Sequence, residues 1–374
     1  MRKDSFKTPL KIISVLAFVY LFLVSIGLMG AAFKGFGKDF AENLIKTTSN
    51  PFIGLFIGIL ATSIVQSSST TTSIIVGIVG SGIMTVTNAI PIIMGANIGT
   101  TITNTLVSLG HVGRKEEFRR AITGGTVHDF FNITCVCILF PLELMFGLLS
   151  KTASIMSNIF INMGGIKFTS PIKLATEPVI AFIGNTVAEF PLFNNLHYII
   201  LLIISFIFLF LSLYFVVQLM RSLVATRAEI VLSNIIGKHG VLAIFTSLIF
   251  TAIVQSSSIT IALMIPLIAA GILTVETMFP LIMGANIGTT VTAILASFAT
   301  GNIGAVTVAF AHFIFNMIGV CCIYPFKSLR KIPIFLARNL GNLAFRKRRY
   351  VLIYVLTLFF IIPGILIMVS KLFR

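Results

Sequence analysis

Residues 47–113 form a run of 67 positions without a single Asp, Glu, Lys or Arg. Residues 239–326 hold one, Glu276. Soluble domains carry about 25% charged residues, so stretches like these cannot coat a globule that faces water. The whole chain of 374 residues is 57% hydrophobic and 10% charged. A helix needs about 20 consecutive apolar residues to cross the hydrocarbon core, and several segments meet that length. The sequence predicts an all-α polytopic membrane protein. Arg2, Lys3, Lys7 and Lys11 precede the apolar run 12–32, which is longer than a signal-peptide core and lacks a small-residue cleavage site; it reads as a retained first span.

The uncharged stretches are copies of one another. Gln66-Ser67-Ser68-Ser69 recurs as Gln255-Ser256-Ser257-Ser258, and Gly95-Ala96-Asn97-Ile98-Gly99-Thr100-Thr101 recurs as Gly284-Ala285-Asn286-Ile287-Gly288-Thr289-Thr290, both 189 residues on. Residues 66–101 and their copy share 19 identities in 36 positions. His128, Asn132 and Pro141 return as His312, Asn316 and Pro325 at an offset of 184. The two halves are duplicates.

Hydropathy predicts spans at 12–32, 89–110, 122–149, 196–220, 278–299, 305–326 and 350–370. Segments 51–88 and 240–276 each hold two apolar arms too short to cross, broken by the polar motif, and read as re-entrant hairpins. This divides the chain into residues 1–50 (first span and external loop), 51–149 (transport repeat 1) and 150–195 (inter-repeat linker). Residues 196–239 (scaffold span and cytoplasmic loop), 240–326 (transport repeat 2) and 327–374 (basic surface segment and last span) follow. Three spans separate the hairpins, an odd number, so they enter from opposite faces and the repeats are inverted. Inverted repeats with broken helices at mid-membrane are the pattern of secondary transporters. The same parity puts loops 111–121 and 221–238, segment 327–349 and the N-terminus on one side. The two loops and the segment are basic, which marks that side as cytoplasmic and the protein as a multi-pass protein of the cell membrane. The net charge of +16 is therefore topological and lipid-facing rather than a nucleic-acid footprint. Cys135, Cys137, Cys321 and Cys322 lie in apolar segments at no metal or redox spacing, as packing residues do.

Polar backbone survives at membrane depth only where protein buries it or water fills a cavity. The serines can donate to phosphate oxygens and ligate a hard cation. Gln66 and Gln255 add neutral carbonyl oxygens, and a helix unwound at Gly-Ala-Asn-Ile-Gly-Thr-Thr would free carbonyls for sodium. The bland reading of Gly95/Gly99 and Gly284/Gly288 is a small-xxx-small helix contact. No Lys or Arg falls in the motif segments, so a multivalent anion there needs co-bound cations as countercharge. His128 and His312, each one turn before an Asn, read as structural hydrogen bonders. Asp129 is an acid within an apolar segment whose repeat mate is Phe313, and reads as a cation ligand. Glu143 reads as interfacial and Glu276 as solvated. No catalytic set is present, and the chain reads as a non-enzyme.

These paired motifs, with Glu117-Phe118-Arg119-Arg120-Ala121, Val127-His128-Asp129-Phe130-Phe131-Asn132 and Pro141-Leu142-Glu143, resemble the type II sodium-coupled phosphate cotransporters. The likeness covers about residues 10–370, and the short linker is similar to that of a bacterial member. It implies sodium-driven symport of inorganic phosphate by alternating access, with sodium as coupling ion and no cofactor. It implies phosphate at Ser67, Ser68, Ser69, Ser256, Ser257 and Ser258. It implies sodium at Gln255, Ser256, Thr289 and Thr292, extended by symmetry to Gln66, Ser67, Thr100 and Thr103, with Asn97 and Asn286 joining from the second motif. An acid after the His marks members that bind a further sodium and move net charge, and Asp129 holds that place; Thr123 and Gly125 stand where alanines are usual. A sodium-coupled carrier of another small anion, such as a dicarboxylate, is the alternative; such carriers tend to use Ser-Asn-Thr at the tips. The oligomeric state stays open, a homodimer being one option.

Overall fold

A computed structural model describes residues 7–162, 171–189, 196–235 and 240–372, and every regular element among them is a helix. The N-terminal half holds α1 (Lys7–Gly35), α2 (Gly37–Thr48), α3 (Pro51–Val65), α4 (Ser68–Gly80), α5 (Val86–Thr100), α6 (Ile102–Ser108), α7 (Lys115–Phe146), α8 (Leu148–Asn162) and α9 (Pro171–Glu189). The rest holds α10 (His197–Ile235), α11 (Gly240–Val254), α12 (Ser257–Ala262), α13 (Ile265–Ala269), α14 (Val275–Thr300), α15 (Ile303–Ile323), α16 (Lys327–Arg346), α17 (Arg349–Leu356) and α18 (Ile362–Leu372). Among the described residues, seven helical stretches are long and apolar enough to cross a membrane, and each falls on one of the spans expected from hydropathy. Segment 33–50 contains the amphipathic α2, bent 98° from α3. The 150–195 segment contains most of α8, which packs on α15, and all of α9, which packs on α1; Pro191 lies outside the described residues.

The arms of the first hairpin are α3, with 15 residues, and α4, with 13. At 1.5 Å per residue they are about 22 Å and 20 Å long, short of the ~30 Å core. The turn between them is two residues. Gln66 takes the left-handed conformation at φ 58°, its N–H donating to the Thr62 carbonyl at 2.6 Å, and Ser67 is extended at φ −148°. Gln255 and Ser256 repeat this at φ 58° and φ −148°, with Gln255 N–H on the Thr251 carbonyl at 2.6 Å. The exits match as well: Gly82 at φ 83° and Gly271 at φ 79° make left-handed turns that a side chain would strain. Thr85 and Thr274 then cap α5 and α14. Duplication is thus visible at the level of single dihedral angles.

The interrupted helix expected at Gly-Ala-Asn-Ile-Gly-Thr is corrected in the second copy and reduced to a one-residue break in the first. In the second copy α14 runs unbroken through Gly284 and Gly288, and in the first only Thr101 separates α5 from α6. The glycines serve close packing instead. A Cβ on Gly95 would stand 2.0 Å from the Leu55 carbonyl oxygen, and one on Gly284 would stand 2.1 Å from that of Ile244. Gly99 and Gly288 meet the carbonyls of Ile59 and Leu248 at 2.5 Å in the same register. Without side chains there, α3 lies directly on α5, and α11 on α14.

Glu143 lies near the end of α7, three residues before Phe146. Its carboxylate is buried and accepts from Leu149 N–H at 2.6 Å and Ser150 Oγ at 2.5 Å. It caps the start of α8, where otherwise orphaned N–H groups need an acceptor. Glu276 is paired with Arg338 of α16 rather than merely solvated.

Candidate anion and cation site

The two hairpin tips meet. Ser69 Oγ donates to the Gln255 carbonyl at 3.1 Å, a bond between residues 186 positions apart. Around this junction is a cavity of about 440 Å³ lined by Gln66, Ser67, Ser68, Ser69, Thr100, Gln255, Ser256, Ser257, Ser258 and Thr289. Ser67 and Ser256 are the N-caps of α4 and α12: their Oγ atoms accept from Thr70 N–H at 3.2 Å and Ile259 N–H at 3.4 Å. Capping uses a lone pair and leaves each hydroxyl proton to donate elsewhere. The first turn of α4 brings further N–H groups that have no intrahelical acceptor.

Ten of the residues singled out from the sequence therefore share one cavity wall, and five lie off it. Thr103 Oγ1 reaches back to the Gln66 carbonyl at 3.4 Å. Thr292 is buried with its hydroxyl unpartnered, as is the hydroxyl of Thr100. Asn97 and Asn286 belong to a separate polar network between the halves. His128 Nε2 lies 2.6 Å from Asn286 Oδ1, and its Nδ1 lies 3.0 Å from Asn104 Nδ2. That pattern, one ring nitrogen donating and one accepting, is a neutral imidazole with its proton on Nε2. Asn286 Nδ2 donates to Asn132 Oδ1 at 2.6 Å, and Asn132 Nδ2 to the Asn97 carbonyl at 2.8 Å. His312 Nε2 faces Asn97 Oδ1 at 3.3 Å. Each His thus reaches the motif Asn of the other half, and both Asn side-chain oxygens are engaged by protein rather than turned to the cavity. The histidines are structural, as expected.

Asp129 is fully buried. Its Oδ2 accepts from Tyr354 OH at 2.8 Å and Thr105 Oγ1 at 3.3 Å, while Oδ1 has no partner. No ion pair reaches it among the described residues.

Sequence reasoning missed the wall contributed by α10. Phe210, Tyr214, Gln218 and Arg221 line the same cavity. The expectation that the site has no basic residue is thereby corrected: Arg221 is exposed at its edge. Arg221 reads locally as the first residue of a basic loop, but its spacing from Phe210, Tyr214 and Gln218 is that of one helix face, which was the available signal. Tyr354 carries no such signal, since it lies 225 residues from Asp129.

The Na+/Pi-cotransporter family profile matches residues 21–170 and 207–336, which contain both hairpin tips. The chain belongs to the Na+/Pi-cotransporter family. Curated relatives include sodium-dependent phosphate transport protein 2B of Pongo abelii and of Homo sapiens, each 33% identical over 94% of this chain and 64% of their own length. Protein 2A of Rattus norvegicus is 33% identical over 96% of this chain and 68% of its own. The chain thus spans just under two thirds of the first two relatives. No solved structure matches it. Arg119 and Arg120 fall within the matched region, whereas Tyr354 lies beyond it.

Proposed function

We propose that the protein is a sodium-coupled symporter that imports inorganic phosphate across the cell membrane by alternating access between inverted repeats. The observation that carries this reading is the meeting of the two Gln-Ser-Ser-Ser tips on one cavity. The names of the relatives support the same cargo and the same coupling ion. Phosphate takes hydroxyl and N–H donors from Ser67, Ser68, Ser69, Ser256, Ser257 and Ser258. Sodium takes oxygens from Gln66, Thr100, Thr103, Gln255, Thr289 and Thr292, with Ser67 and Ser256 shared. The reciprocal His–Asn contacts support a two-fold relation between the halves, as residues across a two-fold axis exchange contacts.

Asp129 makes the cycle electrogenic. An ionised carboxylate at mid-membrane costs about 2.5–3.5 kcal/mol, and its buried Oδ1, without a hydrogen-bond partner, has lone pairs left for a cation. Divalent phosphate with two sodium ions is neutral; a third sodium at Asp129 carries one positive charge inward, on which the potential acts with about 2.3 kcal/mol per 100 mV. In proteoliposomes, radiolabelled phosphate should accumulate above equilibrium with an inward sodium gradient and not with choline. An inside-negative valinomycin potential should steepen uptake, and Asp129→Asn should keep uptake and lose the voltage response. Equal uptake in sodium and choline overturns the function, and full voltage sensitivity in the variant overturns the role of Asp129.

Arg221 draws the anion toward the cavity mouth, since a cation at the rim of a low-dielectric cleft raises local anion concentration. Arg221→Gln should raise the phosphate concentration for half-maximal transport several-fold when phosphate is supplied from that face. The increase should shrink at high ionic strength, and Arg221→Lys should restore most of the affinity. An unchanged half-saturation in Arg221→Gln would remove it from the site.

A further inference from the structure

A second cavity, of about 550 Å³, lies where the start of α7, the exit turn of the second hairpin and α16 come together. Arg119 and Arg120 line it from α7, Arg338 and Asn342 from α16, and Glu276 is its single lining carboxylate. The guanidiniums have local contacts. Arg119 pairs with Glu116 at 2.8 Å, Arg338 pairs with Glu276, and Arg120 Nη1 donates to the Ala269 carbonyl at 3.4 Å. Arg120 also lies against the turn itself, 2.5 Å from where a Cβ on Gly271 would be. Each guanidinium has five N–H donors, so most remain free. Three arginines against two carboxylates, Glu276 on the wall and Glu116 on Arg119, leave one positive charge without a carboxylate partner, that of Arg120. Its donor chemistry suits a phosphate group, which Arg grips with paired parallel bonds.

The position of α16 says where such a group comes from. Its buried face, Pro333, Ala337, Leu340, Gly341 and Ala344, rests on α7. Gly341 allows the contact, since a Cβ there would stand 2.2 Å from Thr123 Oγ1. Phe335 and Leu343 are exposed, and residues 327–349 carry eight Lys/Arg and no acid. An amphipathic basic helix with outward apolar side chains lies at headgroup depth, where anionic lipid collects. We propose that this cavity binds the phosphate-bearing headgroup of an anionic lipid, which bridges Arg120 and Arg338 and ties the exit turn of the second hairpin to α16. The inference rests on the chain spanning a membrane and not on the identity of its cargo. Glu276 is a weak competitor for Arg338, because an exposed ion pair contributes little. A phosphomonoester, with more charge and more acceptors, displaces it.

The test uses the full-length protein purified in detergent. Short-chain phosphatidic acid should raise its thermal midpoint by several degrees, phosphatidylcholine should not, and phosphatidylserine should do less. Arg338→Gln, on an exposed residue, and Arg120→Gln with Arg338→Gln should lose the shift. Lys331→Gln with Lys347→Gln, which removes equal charge from exposed positions off the cavity, should keep it. Native mass spectrometry should find one retained phosphatidic acid per chain in the wild type and none in Arg338→Gln, a readout independent of how stable the variants are. Equal loss in the Arg120/Arg338 and Lys331/Lys347 pairs would reduce the effect to surface charge and overturn the site. A shift produced equally by inorganic phosphate, and lost in Arg338→Gln, would assign the cavity to the free anion and overturn the lipid.

Discussion

Replacing Gln255 with glycine is expected to leave the protein no less stable and to stop transport. Gln255 is held at φ 58°, where a residue with a Cβ is strained by roughly 1 kcal/mol and glycine is not. The hairpin turn would keep its bond from the residue 255 N–H to the Thr251 carbonyl. What disappears is the side-chain amide facing the cavity between the tips. Gln66, in the same conformation on the same cavity, should behave alike, and so should the alanine variants apart from the relief of strain. Thermal midpoints together with sodium-driven phosphate uptake separate the two effects. Near-normal uptake in either glycine variant at saturating sodium would remove that amide from the site, and unfolded protein would show that the side chain is structural.

The second large effect is on folding. Gly284→Ala puts a methyl group 2.1 Å from the Ile244 carbonyl oxygen, and Gly95→Ala puts one 2.0 Å from that of Leu55. Overpacking of this kind costs about 1–3 kcal/mol, and a backbone obstacle places these at the upper end. The whole helix must move aside, because a carbonyl has no rotamer to adopt. Both variants should show a clearly lowered thermal midpoint and a smaller yield of monodisperse protein. Gly30→Ala should show neither, since open space surrounds Gly30. If Gly284→Ala unfolded at the wild-type temperature and lost only its sodium dependence, the glycines would be there to free carbonyls for the ion after all.

The spans and hairpins were legible because each rests on a local property: run length for the spans, a polar break between short apolar arms for the hairpins. The duplication was legible because it survives as identity. The continuity of α14 was not, since two glycines in five residues read alike as a weak helix and as a tight crossing, and only the opposing backbone decides. Asn97 and Asn286 were assigned to sodium because their oxygens are suitable ligands. Their engagement by His312 and His128 depends on which elements of the two halves touch, and no spacing records that. Arg221 was hidden by its neighbours in sequence. Charge counting assigned it to a loop, while helix geometry aims it at the cavity.

The two hairpins have equal tips but unequal arms. In the first, α4 runs unbroken from Ser68 to Gly80; in the second, the corresponding stretch splits into α12 and α13 beside Pro266, whose repeat mate is Gly77. Proline has no N–H to give the carbonyl four residues back, so the arm is jointed there. A carrier whose halves matched in every respect would, when empty, have two states of equal free energy, related by a two-fold rotation. The joint removes that degeneracy. In a carrier of the kind proposed, the empty molecule would then favour one face over the other before any ion or potential acts, with Pro266 among the differences between the halves that set the preference.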